Sequence, residues 1–200
     1  MNDEYVYAEE GAAVGAPLLV LLHGTGGDER DLLDLGRQLM PGARLIAPRG
    51  DVLENGMPRY FKRLGMGVYD MADLERATAK LGAFIAAQRE RLAPASVAAL
   101  GYSNGANILA SVLFTAPQLV DRAVLLHPLV PFAPQPQPGL RGKPVLIAAG
   151  RHDRIAPAER AEALYAYLRG RGAKVEIAWH EGGHEVRPEE VAAAQAFLNA

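Results

Sequence analysis

The chain has no cysteine among its 200 residues. Disulfides, thiolate zinc sites and a cysteine nucleophile are therefore excluded. It has no surplus of positive charge either. Its 21 Lys and Arg stand against 23 Asp and Glu, a formal net charge of −2, so no nucleic-acid partner is expected. No apolar run approaches the roughly 20 residues of a membrane span, and no membrane association is expected. Met1 to Glu4 lack the basic-then-apolar order of a secretion signal, so a cytoplasmic protein is expected. There is no H-E-x-x-H and no aspartate-rich loop, hence no expected metal site or cofactor. Serine is scarce: only Ser96, Ser103 and Ser111. What remains is ordinary globular stock, 50% hydrophobic and 22% charged. It suits one domain over residues 1–200 that buries about 70% of its unfolded surface.

Short apolar runs alternate with helical patterns. Leu18–His23, Ala43–Ala47, Val97–Leu100, Ala123–Leu126, Pro144–Ala149 and Lys174–Trp179 read as strands. The continuous runs suit strands buried on both faces of a parallel sheet. Asp28–Leu39, Met71–Leu92, Asn104–Phe114, Ala158–Leu168 and Pro188–Leu198 read as helices, and Pro94 closes the longest. Val6–Ala8 reads as an antiparallel edge strand. The pattern predicts a mostly parallel sheet with helices on both faces. Pro48–Tyr69 and Pro128–Pro138 read as long irregular loops, and long loops in a compact chain often wall a site.

One pentad carries chemistry. Gly101-Tyr102-Ser103-Asn104-Gly105 lies between a predicted strand and a predicted helix, the setting the G-x-S-x-G turn requires. Chance alone predicts roughly 0.03 such pentads in a chain of this composition. Such a turn exposes the serine and aims the first helical N–H groups at the same point. A serine hydroxyl needs a base, and the base needs an orienting group. Of the five histidines, His23, His127, His152, His180 and His184, only His184 sits in a glycine-rich loop between the last strand and the last helix. His180 is the rival, closer to its strand. Asp153 follows another strand end, in Gly150-Arg151-His152-Asp153. The order Ser103, Asp153, His184 is the hydrolase order. Oxyanion donors are expected from the backbone N–H groups of Asn104 and of Thr25, the latter in His23-Gly24-Thr25-Gly26-Gly27. That loop lacks the lysine of a P-loop and the spacing of a dinucleotide site.

These motifs resemble the α/β-hydrolase superfamily, and within it the phospholipase/carboxylesterase family, related to acyl-protein thioesterases and dienelactone hydrolases. The resemblance spans nearly the whole chain. It rests on Leu21–Asp28, Gly101–Asn107, Gly150–Asp153 and Gly183-His184-Glu185. Pro48-Arg49-Gly50 with Arg59–Arg63 also resembles a small bacterial subgroup, some of whose members accompany responses to quinones or catechols. The resemblance implies a three-layer fold with no large cap domain and an esterase or thioesterase acting through an acyl-enzyme. It also makes a homodimer as plausible as a monomer. Two positions depart from the pattern. Asn104 stands where many carboxylesterases carry Gln, and Ser103 stands where dienelactone hydrolases carry Cys.

A small-molecule ester is the expected partner. His23, Met57, Tyr60, Phe61, Met66, Tyr69 and His127 are candidates for the pocket wall. Arg59, Lys62 and Arg63 either favour an acidic substrate group or form a solvated loop face. The competing function is a small-ligand binding protein without turnover, since fold alone does not decide. A dehalogenase would need an aspartate where Ser103 stands.

Overall fold

The computed structural model describes residues 5–200. Met1–Glu4, on which the secretion-signal reading bears, lie outside the described residues. In chain order the elements are β1 (Tyr7–Glu10), β2 (Leu18–Leu22), α1 (Leu33–Leu39), β3 (Arg44–Pro48), β4 (Val52–Glu54), β5 (Met57–Arg59), β6 (Arg63–Gly65), β7 (Val68–Tyr69), α2 (Met71–Leu92), β8 (Val97–Tyr102), α3 (Asn104–Thr115), β9 (Arg122–Leu126), β10 (Pro144–Gly150), α4 (Ala158–Gly170), β11 (Lys174–His180) and α5 (Pro188–Leu198).

Seven strands form one sheet in the order β1-β3-β2-β8-β9-β10-β11. Only β1 runs antiparallel, against β3; β3, β2, β8, β9, β10 and β11 are parallel. Alternate side chains divide the core between two layers, as the period of two requires. Leu18, Val20, Leu22, Val97, Ala99, Val145 and Ile147 pack with α2, α3 and α4. Leu19, Leu21, Ala98, Leu100, Val124 and Leu146 pack with α1 and α5. Both faces are covered, which explains why these strands read as unbroken apolar runs. Each such Leu, Ile or Val contributes about 1.5–3 kcal/mol by leaving water. α3 is buried from Asn104 to Phe114, so the helix behind Ser103 is anchored along nearly its full length.

Local chemistry sets the ends. Asp70 caps α2 by accepting the Asp73 N–H at 3.1 Å, and Ala93 closes it in a left-handed conformation before Pro94. α1 starts later than its apolar spacing predicts. Asp28 accepts the Arg30 N–H at 2.7 Å, an aspartate turn that competes with helix, and residues 29–32 stay in turns. Pro48–Tyr69 is not irregular as expected. It holds two hairpins, β4–β5 and β6–β7. Asn55 and Gly56 both take positive φ, 52° and 80°, the pairing a two-residue hairpin turn requires. The 128–138 segment is a loop ending in a short 3-10 turn. No described helix is long and apolar enough to cross a membrane.

Candidate active site

Ser103 alone separates β8 from α3. Its φ of 51° and ψ of −113° put a residue with a Cβ where few go, at a cost of about 1–3 kcal/mol. The surroundings enforce it. Ser103 N–H donates to Leu126 O at 2.9 Å, and Asn107 N–H donates to Ser103 O at 3.0 Å. The flanking glycines leave no alternative residue. A Cβ on Gly101 would lie 2.3 Å from Gly105 O, and one on Gly105 would lie 2.0 Å from Leu22 O. The pentad therefore presses two strand ends together and pushes the hydroxyl outward.

The hydroxyl meets an imidazole. His184 Nε2 lies 2.8 Å from Ser103 Oγ, and His184 Nδ1 lies 2.7 Å from Asp153 Oδ2. Asp153 sits in the turn after β10, with its side chain fully buried. Its Oδ1 accepts the N–H groups of Ile155 at 2.8 Å and Ala156 at 2.9 Å. Burial alone would raise its pKa. The Ala156 N–H, His184 and His127 outweigh burial and hold the carboxyl below its usual range. Tyr102 Oη donates to His184 O at 2.7 Å, tying the histidine loop to the end of β8.

Behind this trio lies His127, which the sequence placed only among the pocket-wall candidates, with Glu190, which sequence reasoning missed. His127, at the end of β9, places Nδ1 2.9 Å from the same Asp153 Oδ2. Its Nε2 lies 3.2 Å from Glu190 Oε2, a buried carboxylate in the first turn of α5. Acidic residues are common in first helical turns, so no local signal marks Glu190. His180 lies beside it, with Nε2 3.4 Å from Glu190 Oε2; it does not reach Ser103. Two trios, His127/His180/Glu190 and His127/Asp153/His184, bring their ligand-type atoms within 4.8 Å of one another. His152 stays in its loop, its Nδ1 2.8 Å from Glu181 O.

The Asn104 and Thr25 N–H groups find no acceptor among the described residues. Asn104 opens α3, where an N–H has no intrahelical partner. Its side-chain Oδ1 accepts Tyr60 N–H at 2.8 Å, which couples the serine turn to the 59–61 segment. Thr25 Oγ1 accepts from Arg59 Nη1 at 2.6 Å.

A cleft of about 260 Å³ opens above Ser103. Arg59, Met66 and Tyr69 line it, together with Arg63, Asn107 and Leu129. His127 borders it, with a fully buried side chain. The other wall candidates lie elsewhere. His23 is buried and accepts the Gly50 N–H at 2.9 Å. Phe61 is buried, its ring 4.7 Å from that of Tyr69. Met57 is exposed beside Gly26. Arg59 is 4% exposed and shares Glu54 with Arg63, at 3.4 Å and 2.8 Å. Two cations thus face one anion at this wall.

Known proteins share this arrangement's frame. The Bacillus subtilis (strain 168) protein MhqD is 48% identical over 182 residues, covering 90% of this chain and 91% of its own. A Bacillus cereus carboxylesterase structure is 39% identical, with a TM-score of 0.93 over 99% of this chain and 95% of its own. The structure of YahD with malic acid is 29% identical, with a TM-score of 0.88 over 98% of each chain. These neighbours share the α/β-hydrolase fold. Residues 56–192 match the dienelactone hydrolase family, and the chain belongs to that family.

Proposed function

We propose that this hydrolase is a serine esterase that cleaves carboxylic esters or thioesters of small acyl substrates through an acyl-enzyme. The observation that carries the reading is the chain of contacts from Ser103 Oγ through His184 to Asp153, 2.8 Å and 2.7 Å. His184 Nε2 takes the serine proton as Oγ attacks the carbonyl carbon. The oxyanion that forms accepts from the Asn104 and Thr25 N–H groups, which have no other acceptor among the described residues. Collapse expels the alcohol or thiol, which leaves with the proton from His184. His184 then deprotonates a water, which attacks the acyl-serine and releases the acid. Ser103, where dienelactone hydrolases carry Cys, makes the intermediate an ester and not a thioester.

The cleft's charge supports a finer reading. Arg59 and Arg63 against Glu54 leave a positive surplus beside Ser103, which favours substrates that carry a carboxylate. The similar YahD structure is one with malic acid, a dicarboxylate. The test of the enzyme reading is p-nitrophenyl acetate hydrolysis by wild type and Ser103→Ala, with intact-mass analysis after a serine-directed phosphonate. Loss of turnover by at least about 10³-fold, and of the phosphonate adduct, is expected. Equal rates would refute the reading, and labelling of Ser103 without turnover on any ester would favour a binding protein.

A further inference from the structure

We propose that His127 is a positioning residue, held as an imidazolium between Asp153 and Glu190, and that it tempers the pull of Asp153 on His184. The proposal rests on the esterase reading of Ser103 and His184.

Counting donors leads there. An ionised Asp153 offers only lone pairs. Its Oδ2 faces His184 Nδ1 at 2.7 Å and His127 Nδ1 at 2.9 Å, so both nitrogens carry hydrogen. At its far side, His127 Nε2 lies 3.1 Å from Glu190 Oε1 and 3.2 Å from Oε2. Whether that nitrogen also carries hydrogen depends on Glu190. Besides His127, one backbone donor reaches Glu190. The Arg187 N–H donates to Oε2 at 3.0 Å, closing a capping box at the start of α5, where the backbone dipole favours an anion. His180 Nδ1 accepts the Gly182 N–H at 2.9 Å. His180 Nε2 lies 3.4 Å from Glu190 Oε2 without hydrogen-bonding to it. In the proposed state the His127–Glu190 contact is imidazolium on carboxylate, and His127 carries both N–H groups.

Burial works against a charged His127, but hydrogen bonding and charge from Glu190 and then Asp153 prevail, and its pKa is raised. The other titratable groups facing His127 are Tyr102, His180 and His184, with ring centres 5.9, 5.4 and 5.1 Å away. No Lys or Arg side chain pairs with Asp153 or Glu190 among the described residues. His127 is thus the cation that balances two buried carboxylates. It also draws on the one carboxylate oxygen that orients His184. Its backbone is forced to a φ of 51° to stand there.

A cation this close opposes the second positive charge that His184 gains when it takes the serine proton. Glu190→Gln keeps the shape and removes the reason for the charge. The amide can donate to Nε2, leaving His127 neutral with its Nδ1–H still on Asp153. The acid limb of kcat/KM is expected to move up by about one pH unit or more. A merely structural Glu190 would lower the rate at every pH and leave that limb in place, which would overturn the proposal. The second readout needs neither variant nor substrate. Imidazole ¹⁵N spectra of wild type, with the five histidines assigned by single His→Gln changes, are expected to show His127 with two N–H groups at neutral pH. That spectrum is read on the resting protein, so it stands or falls apart from the esterase reading. A His127 with one N–H there would overturn the proposal. So would a chelator-sensitive metal on Nε2.

Discussion

Asp153→Asn is the sharpest probe of the proposed triad, because the surroundings dictate how the new amide must lie. The carboxylate takes two backbone N–H groups on Oδ1, from Ile155 at 2.8 Å and Ala156 at 2.9 Å. Those donors are fixed by the turn and cannot become acceptors. The amide oxygen must therefore stay with them, since turning the NH₂ toward them would leave donors unmet at about 1–3 kcal/mol each. The NH₂ is left facing His184 Nδ1, where Oδ2 stood at 2.7 Å, and His127 Nδ1, at 2.9 Å. A donor there demands a lone pair on His184 Nδ1, and the imidazole proton moves to Nε2. That nitrogen, 2.8 Å from Ser103 Oγ, then offers a proton where it should accept one. A wrong tautomer of this kind costs about 10⁴ in turnover, or about 5 kcal/mol of transition-state stabilisation. The assay is p-nitrophenyl acetate hydrolysis from acid to mildly alkaline pH, with circular dichroism to confirm folding. A folded variant that loses less than tenfold at neutral pH would refute the tautomer reasoning and with it the role of Asp153.

Two further outcomes follow from charge. Arg63→Gln should raise KM for a succinate half-ester about fivefold relative to the neutral acetate, the worth of one partly exposed ion pair near 1 kcal/mol; equal changes for both esters would remove the case for anionic substrates. Asp153 should also make the fold acid-sensitive. Because its pKa is held down in the folded protein, the unfolded chain takes up the proton first. The stabilisation is whole above the ordinary carboxyl value near 4, and drains as pH falls through it toward the lowered folded value. Urea titrations should show wild type losing stability relative to Asp153→Asn over that window. Parallel curves would contradict the assigned shift.

What was legible in the sequence was whatever local pattern dictates. Two-sided burial writes itself as apolar runs, so six core strands could be placed to within one or two residues. The serine turn was readable because its two glycines have no substitute. Asp153 and His184 were singled out by their places after strand ends, and the structure brings His184 to Ser103 and Asp153 to His184. The hairpins at 52–59 and 63–69 went unread although Asn55-Gly56 signals one of them. The cleft wall was only partly readable, because that depends on which way a hairpin faces. Arg59, Met66 and Tyr69 turn toward Ser103, whereas Phe61 turns into the core. Glu190 was beyond reach. Its role depends on a histidine 63 positions away, and nothing in Pro188-Glu189-Glu190 separates the buried acid from the exposed one.

The sheet order explains why a buried histidine stands between two carboxylates at all. Ser103 leaves β8 and His184 follows β11, three strands apart in the order β8-β9-β10-β11. At about 4.8 Å per strand, the two ends are separated by about 14 Å, too far for a direct hydrogen bond. The loop after β11 must fold back across the end of β10. Its course is visible at Gly150, where a Cβ would lie 2.1 Å from Gly183 O and 2.6 Å from Gly182 O. Asp153, leaving β10, meets the returning loop halfway. The end of β9 is then roofed over by this crossing, and the residue at that end is His127. A polar side chain enclosed there needs partners on both sides. It finds Asp153 above the sheet edge and Glu190 on α5. The same fold-back that completes the serine–histidine contact thus creates the buried position that His127 occupies, and Gly150→Ala should disturb both at once.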